Sequence, residues 1–106
     1  VFEILGKPAR GKTCPAIDGI LEEGQEILEE FKDSPALDAG LLAAAQAVEH
    51  YEIARYGTLK SWALQLGHKD VTQLLDQTLS EETKTDQALT QLAETKVNRE
   101  GKARAA

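Results

Sequence analysis

The chain has 106 residues and a mass of 11.5 kDa, which is room for one domain. Its 42% hydrophobic and 28% charged residues are a globular composition and exclude wholesale disorder. Eighteen acidic against twelve basic side chains leave a net charge of -6, which excludes a nucleic-acid partner, because phosphate contacts need clustered Lys and Arg. No run of about 18 apolar residues offers a membrane span. The one cysteine, Cys14, has no partner for an internal disulfide, as expected of a reducing cytoplasm.

Val1-Phe2-Glu3-Ile4-Leu5 reads as the inside of an element. It is not a secretory leader, which needs a charged start before an apolar core. With no methionine in the chain, the sequence is expected to begin in the middle of an element. The segment Gly6-Lys7-Pro8-Ala9-Arg10-Gly11-Lys12-Thr13 then forms the one long loop. It satisfies G-x-x-x-x-G-K-[ST], the pattern that cradles phosphates. A P-loop, however, needs a strand before it and a helix opening at its Lys-Thr pair. Pro15 delays the helix, and no alternating strand pattern occurs anywhere in the chain. A basic surface loop is the better assignment.

Pro15 suits the first helical position, with Thr13 or Cys14 as cap. Ile17, Ile20, Leu21, Gly24, Ile27, Leu28 and Phe31 recur at helical spacing against Glu22, Glu23, Glu26, Glu29 and Glu30. The spacing predicts an amphipathic helix of roughly 17 residues. Asp33-Ser34-Pro35 ends it and opens the next, with Ser34 as N-cap and Pro35 at the first helical position. That second helix is about 30 residues long and runs to Leu66, where Gly67 stops it. A last helix starts between His68 and Asp70 and reaches the mid-nineties. The tail, residues 98–106, has little to bury and is expected to fray beyond a domain of residues 1–97. The chain is all-α.

The inward stripes of the two long helices carry the chemistry. At alternating steps of three and four, one stripe reads Leu42, Ala45, Glu49, Glu52, Tyr56, Leu59, Ala63, Leu66. The other reads Leu75, Leu79, Glu82, Asp86, Leu89, Ala93. Each is apolar at both ends with two carboxylates in its middle. Carboxylates on an interior seam are costly, since burial and mutual repulsion both oppose their charge. Neither stripe contains a Lys or Arg to neutralise them. A pair of metal ions is the compact remedy, and hard oxygen ligands suit iron or manganese. The competing assignment makes Glu49, Glu52, Glu82 and Asp86 a solvated face of Glu-rich helices.

Tyr56, one turn after Glu52, can send its hydroxyl to a metal ligand or serve as a core aromatic. His50 points about 100° away from Glu49 and suits a surface or interface role. His68 suits a turn or cap, and Trp62 suits packing against a neighbouring helix or subunit. Cys14 lies near a helix N-terminus, which lowers thiol pKa values, but no resolving cysteine or general-base histidine accompanies it. A structural thiol is expected.

The segment Ala43-Ala44-Ala45-Gln46-Ala47-Val48-Glu49-His50-Tyr51-Glu52-Ile53-Ala54-Arg55-Tyr56-Gly57-Thr58-Leu59 closely resembles the third bundle helix of the YciF/YciE family of ferritin-like bacterial proteins. The likeness continues through Leu66-Gly67-His68 to Leu79-Ser80-Glu81-Glu82-Thr83-Lys84-Thr85-Asp86. Upstream, Val1-Phe2-Glu3-Ile4-Leu5-Gly6-Lys7-Pro8 resembles the end of that family's second helix. The resemblance implies a ferritin-like four-helix bundle with an extra short helix in the crossover, its first helix and most of its second absent from this chain. It also implies a link to stress responses. By similarity to rubrerythrin-like proteins, Glu49 and Glu52 match an E-x-x-E, and Glu82 matches the glutamate of the following helix. Where many ferritin-like proteins place a histidine on that last helix, this chain has Thr85 or Asp86, a departure that counts against oxidase-type chemistry.

The expected function is a dimetal-binding stress protein, with di-iron ahead of di-manganese held by Glu49, Glu52, Glu82 and Asp86. Its activity would concern peroxide, oxygen or metal handling. The alternative is a non-enzymatic helical assembly protein without metal. Three helices and a stub cannot close a four-helix bundle, so a homodimer or higher homo-oligomer is expected to cover the exposed stripes.

Overall fold

Two glycines with left-handed backbone divide the chain. The structure, a computed structural model, describes residues 1–105. Residues 1–5 make one turn that ends at Gly6, whose φ is +64°. Gly6 N donates to the Glu3 carbonyl at 3.1 Å and Lys7 N to the Phe2 carbonyl at 3.0 Å. The same pair of bonds closes the second long helix at Gly67, φ +77°, with Gly67 N on Leu64 at 3.1 Å and His68 N on Ala63 at 2.9 Å. This double bond is the Schellman motif that ends helices, and it wants glycine at the left-handed position. Gly6 therefore acts as a helix terminator and not as the first glycine of a phosphate loop. The described residues contain no strand.

Helix α1 is Pro15–Glu30, with Pro15 in the first turn and Cys14 as the N-cap residue. It ends in a turn at Asp33, a non-glycine residue at φ 65°. Helix α2 is Leu37–Gln65. Its start lies two residues beyond the expected Pro35, because a tight turn precedes it: Ser34 Oγ accepts from Ala36 N at 3.1 Å, and the Ser34 carbonyl accepts from Leu37 N at 3.2 Å. Helix α3 is Lys69–Leu92. The two-residue connection at Gly67-His68 folds α3 back along α2 as an antiparallel pair, and α1 lies on the opposite flank of α2.

Beyond α3 the backbone stays helical. A π-helical turn, Ala93–Val97, passes into helix α4, Asn98–Ala105. Continuing an existing helix needs no new nucleus, and the bulge turns α4 toward the α1–α2 connection. There a Cβ added to Gly101 would stand 3.1 Å from the Pro35 carbonyl, so glycine permits the approach.

The result is a thin layer of rods, 56 × 27 × 17 Å. Its buried apolar residues are Leu42, Ala63, Val71, Leu75 and Ala93. Ala63, Val71 and Leu75 form one cluster, with the Tyr56 ring packed against it. Leu59 and Leu66, expected in the buried stripe, are 44% and 72% exposed. Both line an open groove together with Phe2 and Trp62. Among the described residues, no helix is long and apolar enough to cross a membrane.

Candidate metal centre

Glu49 and Glu52, three residues apart on α2, share the helix face turned toward α3. Glu82 comes from the middle of α3. One carboxylate oxygen from each of the three lies within 4.8 Å of the others, and all three side chains are half-buried. Glu49 Oε2 is fully buried and has no hydrogen-bond partner. An orphaned carboxylate oxygen in such a place is costly, and it is what a bound cation would relieve.

The electrostatics express the same crowding. The Glu49 carboxyl is pushed up to about 7, first by its hydrogen bond with Glu82, then by burial, then by the charges of Glu82, Glu52 and Asp86. Glu52 is also raised, by burial and then by the charge and hydrogen bond of Glu82. Without a cation, the crowding favours the neutral form of Glu49 over its carboxylate. An octahedral ion with bonds of about 2.1 Å places neighbouring oxygens about 3 Å apart. Modest side-chain adjustment would draw these oxygens to that spacing. An all-oxygen, anionic donor set fits a hard cation such as manganese or ferrous iron.

The structure brings together three of the four expected acids. Asp86, one turn beyond Glu82, stands outside the group. Its Oδ1 accepts from Gln46 Nε2 at 3.3 Å and lies 3.0 Å from His50 Nε2, an ion-pair contact when the imidazole is protonated. Gln46 also donates to Thr90 Oγ1 at 2.7 Å. His50 is exposed, as its position beside Glu49 implies, yet it reaches across to α3. Tyr56 follows Glu52 by one turn, its ring on the apolar cluster below the acids.

Sequence reasoning missed a second junction. The Tyr51 hydroxyl and Cys14 Sγ share a hydrogen bond at 3.1 Å, and the hydroxyl accepts from Arg55 Nε at 3.2 Å. The Arg55 guanidinium lies 5.2 Å from the Tyr51 ring centre, within cation–π range. The Cys14 thiol is lowered by Tyr51 and by the backbone N–H groups of Ile17 and Ala16. This contact ties the start of α1 to α2 beside Glu52. Its only trace in the sequence is the four-residue spacing of Tyr51 and Arg55.

Beside Glu49, the α1–α2 crossing leaves an open, mainly apolar groove of about 460 Å³, lined by Ile20, Leu28, Ala45 and Val48 among others. A larger one, about 540 Å³, runs past Tyr56 between Phe2, Trp62 and Leu75.

The DUF892 family, a domain of unknown function, matches residues 1–102. Protein YciF of Escherichia coli strain K12 is 48% identical over 92 residues, covering 87% of this chain and 55% of that protein. The crystal structure of the E. coli stress protein YciF superposes with a TM-score of 0.82 at 43% identity, over 91% of this chain and 63% of that one. YcfI of Rhodopseudomonas palustris gives a TM-score of 0.80 at 49% identity, over 84% of this chain and 57% of that one. The chain thus spans 55% of the length of the curated relative.

Proposed function

The chain belongs to the DUF892 family, and on that premise we propose that it is a ferritin-like stress-response protein that holds iron or manganese through Glu49, Glu52 and Glu82. One observation carries this: three carboxylates from two helices converge within 4.8 Å around a buried, unpartnered Glu49 oxygen. The stress role comes from the likeness to the E. coli stress protein.

The residues have distinct tasks. Glu49 and Glu82 face each other across the seam and would bridge or share the cation charge, and Glu52 closes the set from the turn beyond Glu49. Leu75, Val71 and Tyr56 on one side, with Leu42 on the other, keep the ends of the seam apolar. In the complete assembly, further helices or a second copy cover the Leu59, Trp62 and Leu66 face and supply the remaining ligands, closing a four-helix bundle. Glu49, Glu52 and Glu82 would hold the ions, which would supply redox or Lewis-acid chemistry toward peroxide or oxygen when bound. The protein works in the cytoplasm, where the Cys14 thiol stays reduced.

Anaerobic titration with Fe2+ or Mn2+, followed by elemental analysis, tests this. The expected result is about two ions per bundle, with uptake abolished in E49Q and E82Q. No uptake by the unaltered protein overturns it and leaves a helical assembly protein with solvated acids.

A further inference from the structure

We propose that Asp86 is not a metal ligand but a positioning residue, the centre of a polar clasp that holds α2 and α3 in register so that Glu49 faces Glu82. The proposal rests on the metal reading of the acid cluster and reassigns its fourth carboxylate.

The stripe pattern alone gives Asp86 the same standing as Glu82. The contacts separate them. The three glutamates converge, whereas Asp86 lies outside their group and is turned to α2 donors. Its Oδ1 accepts a hydrogen bond from Gln46 Nε2 at 3.3 Å and lies 3.0 Å from His50 Nε2 as an ion-pair contact when the imidazole is protonated. The two amide hydrogens of Gln46 are divided between Asp86 and Thr90, the latter at 2.7 Å. The chain His50–Asp86–Gln46–Thr90 therefore crosses the helix pair at two levels. His50 and Gln46 flank Glu49 at one residue after and three residues before. Asp86 and Thr90 lie one and two turns beyond Glu82.

Two helices that meet through short apolar side chains can slide or rotate by a fraction of a turn at little cost. Hydrogen bonds fix them more strictly, and one to a charged acceptor is the stronger kind. Beyond the acids, this clasp is the polar link between α2 and α3. On the Gly67 side, the Lys60–Asp76 ion pair performs the same joining. The acids lie between these two ties, so their separation is set from both sides. Partners that orient metal ligands without touching the ion commonly change metal affinity by about 10–100-fold when removed.

The test compares three variants in Mn2+ titrations of the full chain. In D86N the amide oxygen still accepts from Gln46, so the number of ions bound stays the same and affinity falls less than about tenfold. In D86A the clasp is lost, so affinity falls about 10–100-fold with the ion count unchanged. E82Q loses binding outright. If D86N behaves like E82Q, or drops one equivalent of metal, Asp86 is a ligand and the proposal is overturned. If the unaltered protein binds no metal, the metal reading fails and metal-free melting decides the clasp. D86A melting about 4 °C or more below wild type, with D86N close to wild type, supports it. D86A melting at or above wild type overturns it.

Discussion

The two halves of the α2–α3 seam solve opposite problems. Near Gly67, Ala63, Val71 and Leu75 pack with Tyr56 into a cluster whose members gain by leaving water. Half a helix away, Glu49, Glu52 and Glu82 are brought into the same seam, where leaving water costs each of them. One region makes the helix pair stable, and the other draws on that stability to hold like charges together. The contrast shows why the acids sit in the middle: the apolar cluster and the clasp at Asp86 brace the seam on both sides of a region that would otherwise open.

The largest expected effect breaks the stabilising half. Leu75 is 8% exposed, and L75A removes most of its side chain from the small core. A loss of about 3 kcal/mol is expected, read as a shifted urea midpoint. Because the core holds so few residues, metal-free L75A should melt far below wild type. An effect under about 1 kcal/mol would show that the cluster is not what joins α2 to α3.

The strained half should respond to a cation. A ligand that binds only the folded state at a hundredfold its Kd adds about 2.7 kcal/mol. Saturating Mn2+ should therefore raise the melting temperature of wild type, chelator should reverse the rise, and E49Q should show none. Equal gains in wild type and E49Q would place the ion elsewhere.

The pH dependence sharpens the same point. Glu49 titrates at about 7 in the fold, against a usual value of 4.5. The fold thus prefers its protonated form. That contribution is complete below about 4.5 and is lost as pH rises through about 7. Metal-free wild type should lose stability across this window relative to E49Q, whose neutral amide cannot ionise. At pH above 7 and without metal, E49Q should melt higher than wild type. The reverse order would mean that the Glu49 charge is already compensated within the protein.

How much of this was legible in the sequence follows from what periodicity can encode. Spacing on a single helix places Glu49 and Glu52 on one face, and Gly67 marks where the chain folds back. Those two facts bring Glu82 opposite them. The register of one helix on another is not written in spacing, and Asp86 shows the consequence. It shares a stripe with Glu82, yet His50, about 100° round from Glu49, is long enough to claim it. Leu59 and Leu66 teach a related lesson: a stripe shows which residues can be buried, while burial needs a partner surface.

The smallest effect concerns the turn that makes the seam antiparallel. Gly67 holds φ at +77° with nothing within 4 Å of an added Cβ, so the penalty of G67A is purely conformational and should be about 1 kcal/mol. Gly57, inside α2, also has nothing within 4 Å of an added Cβ, but its backbone is helical, and G57A should stabilise by about 0.4–1 kcal/mol. The two changes add the same methyl group to the same helix, so any packing or solubility effect common to alanine cancels between them. Opposite signs in thermal melts would show that Gly67 is required for its left-handed backbone. If both stabilise, the α2–α3 connection adopts another turn, and the facing of Glu49 and Glu82 that depends on it falls with it.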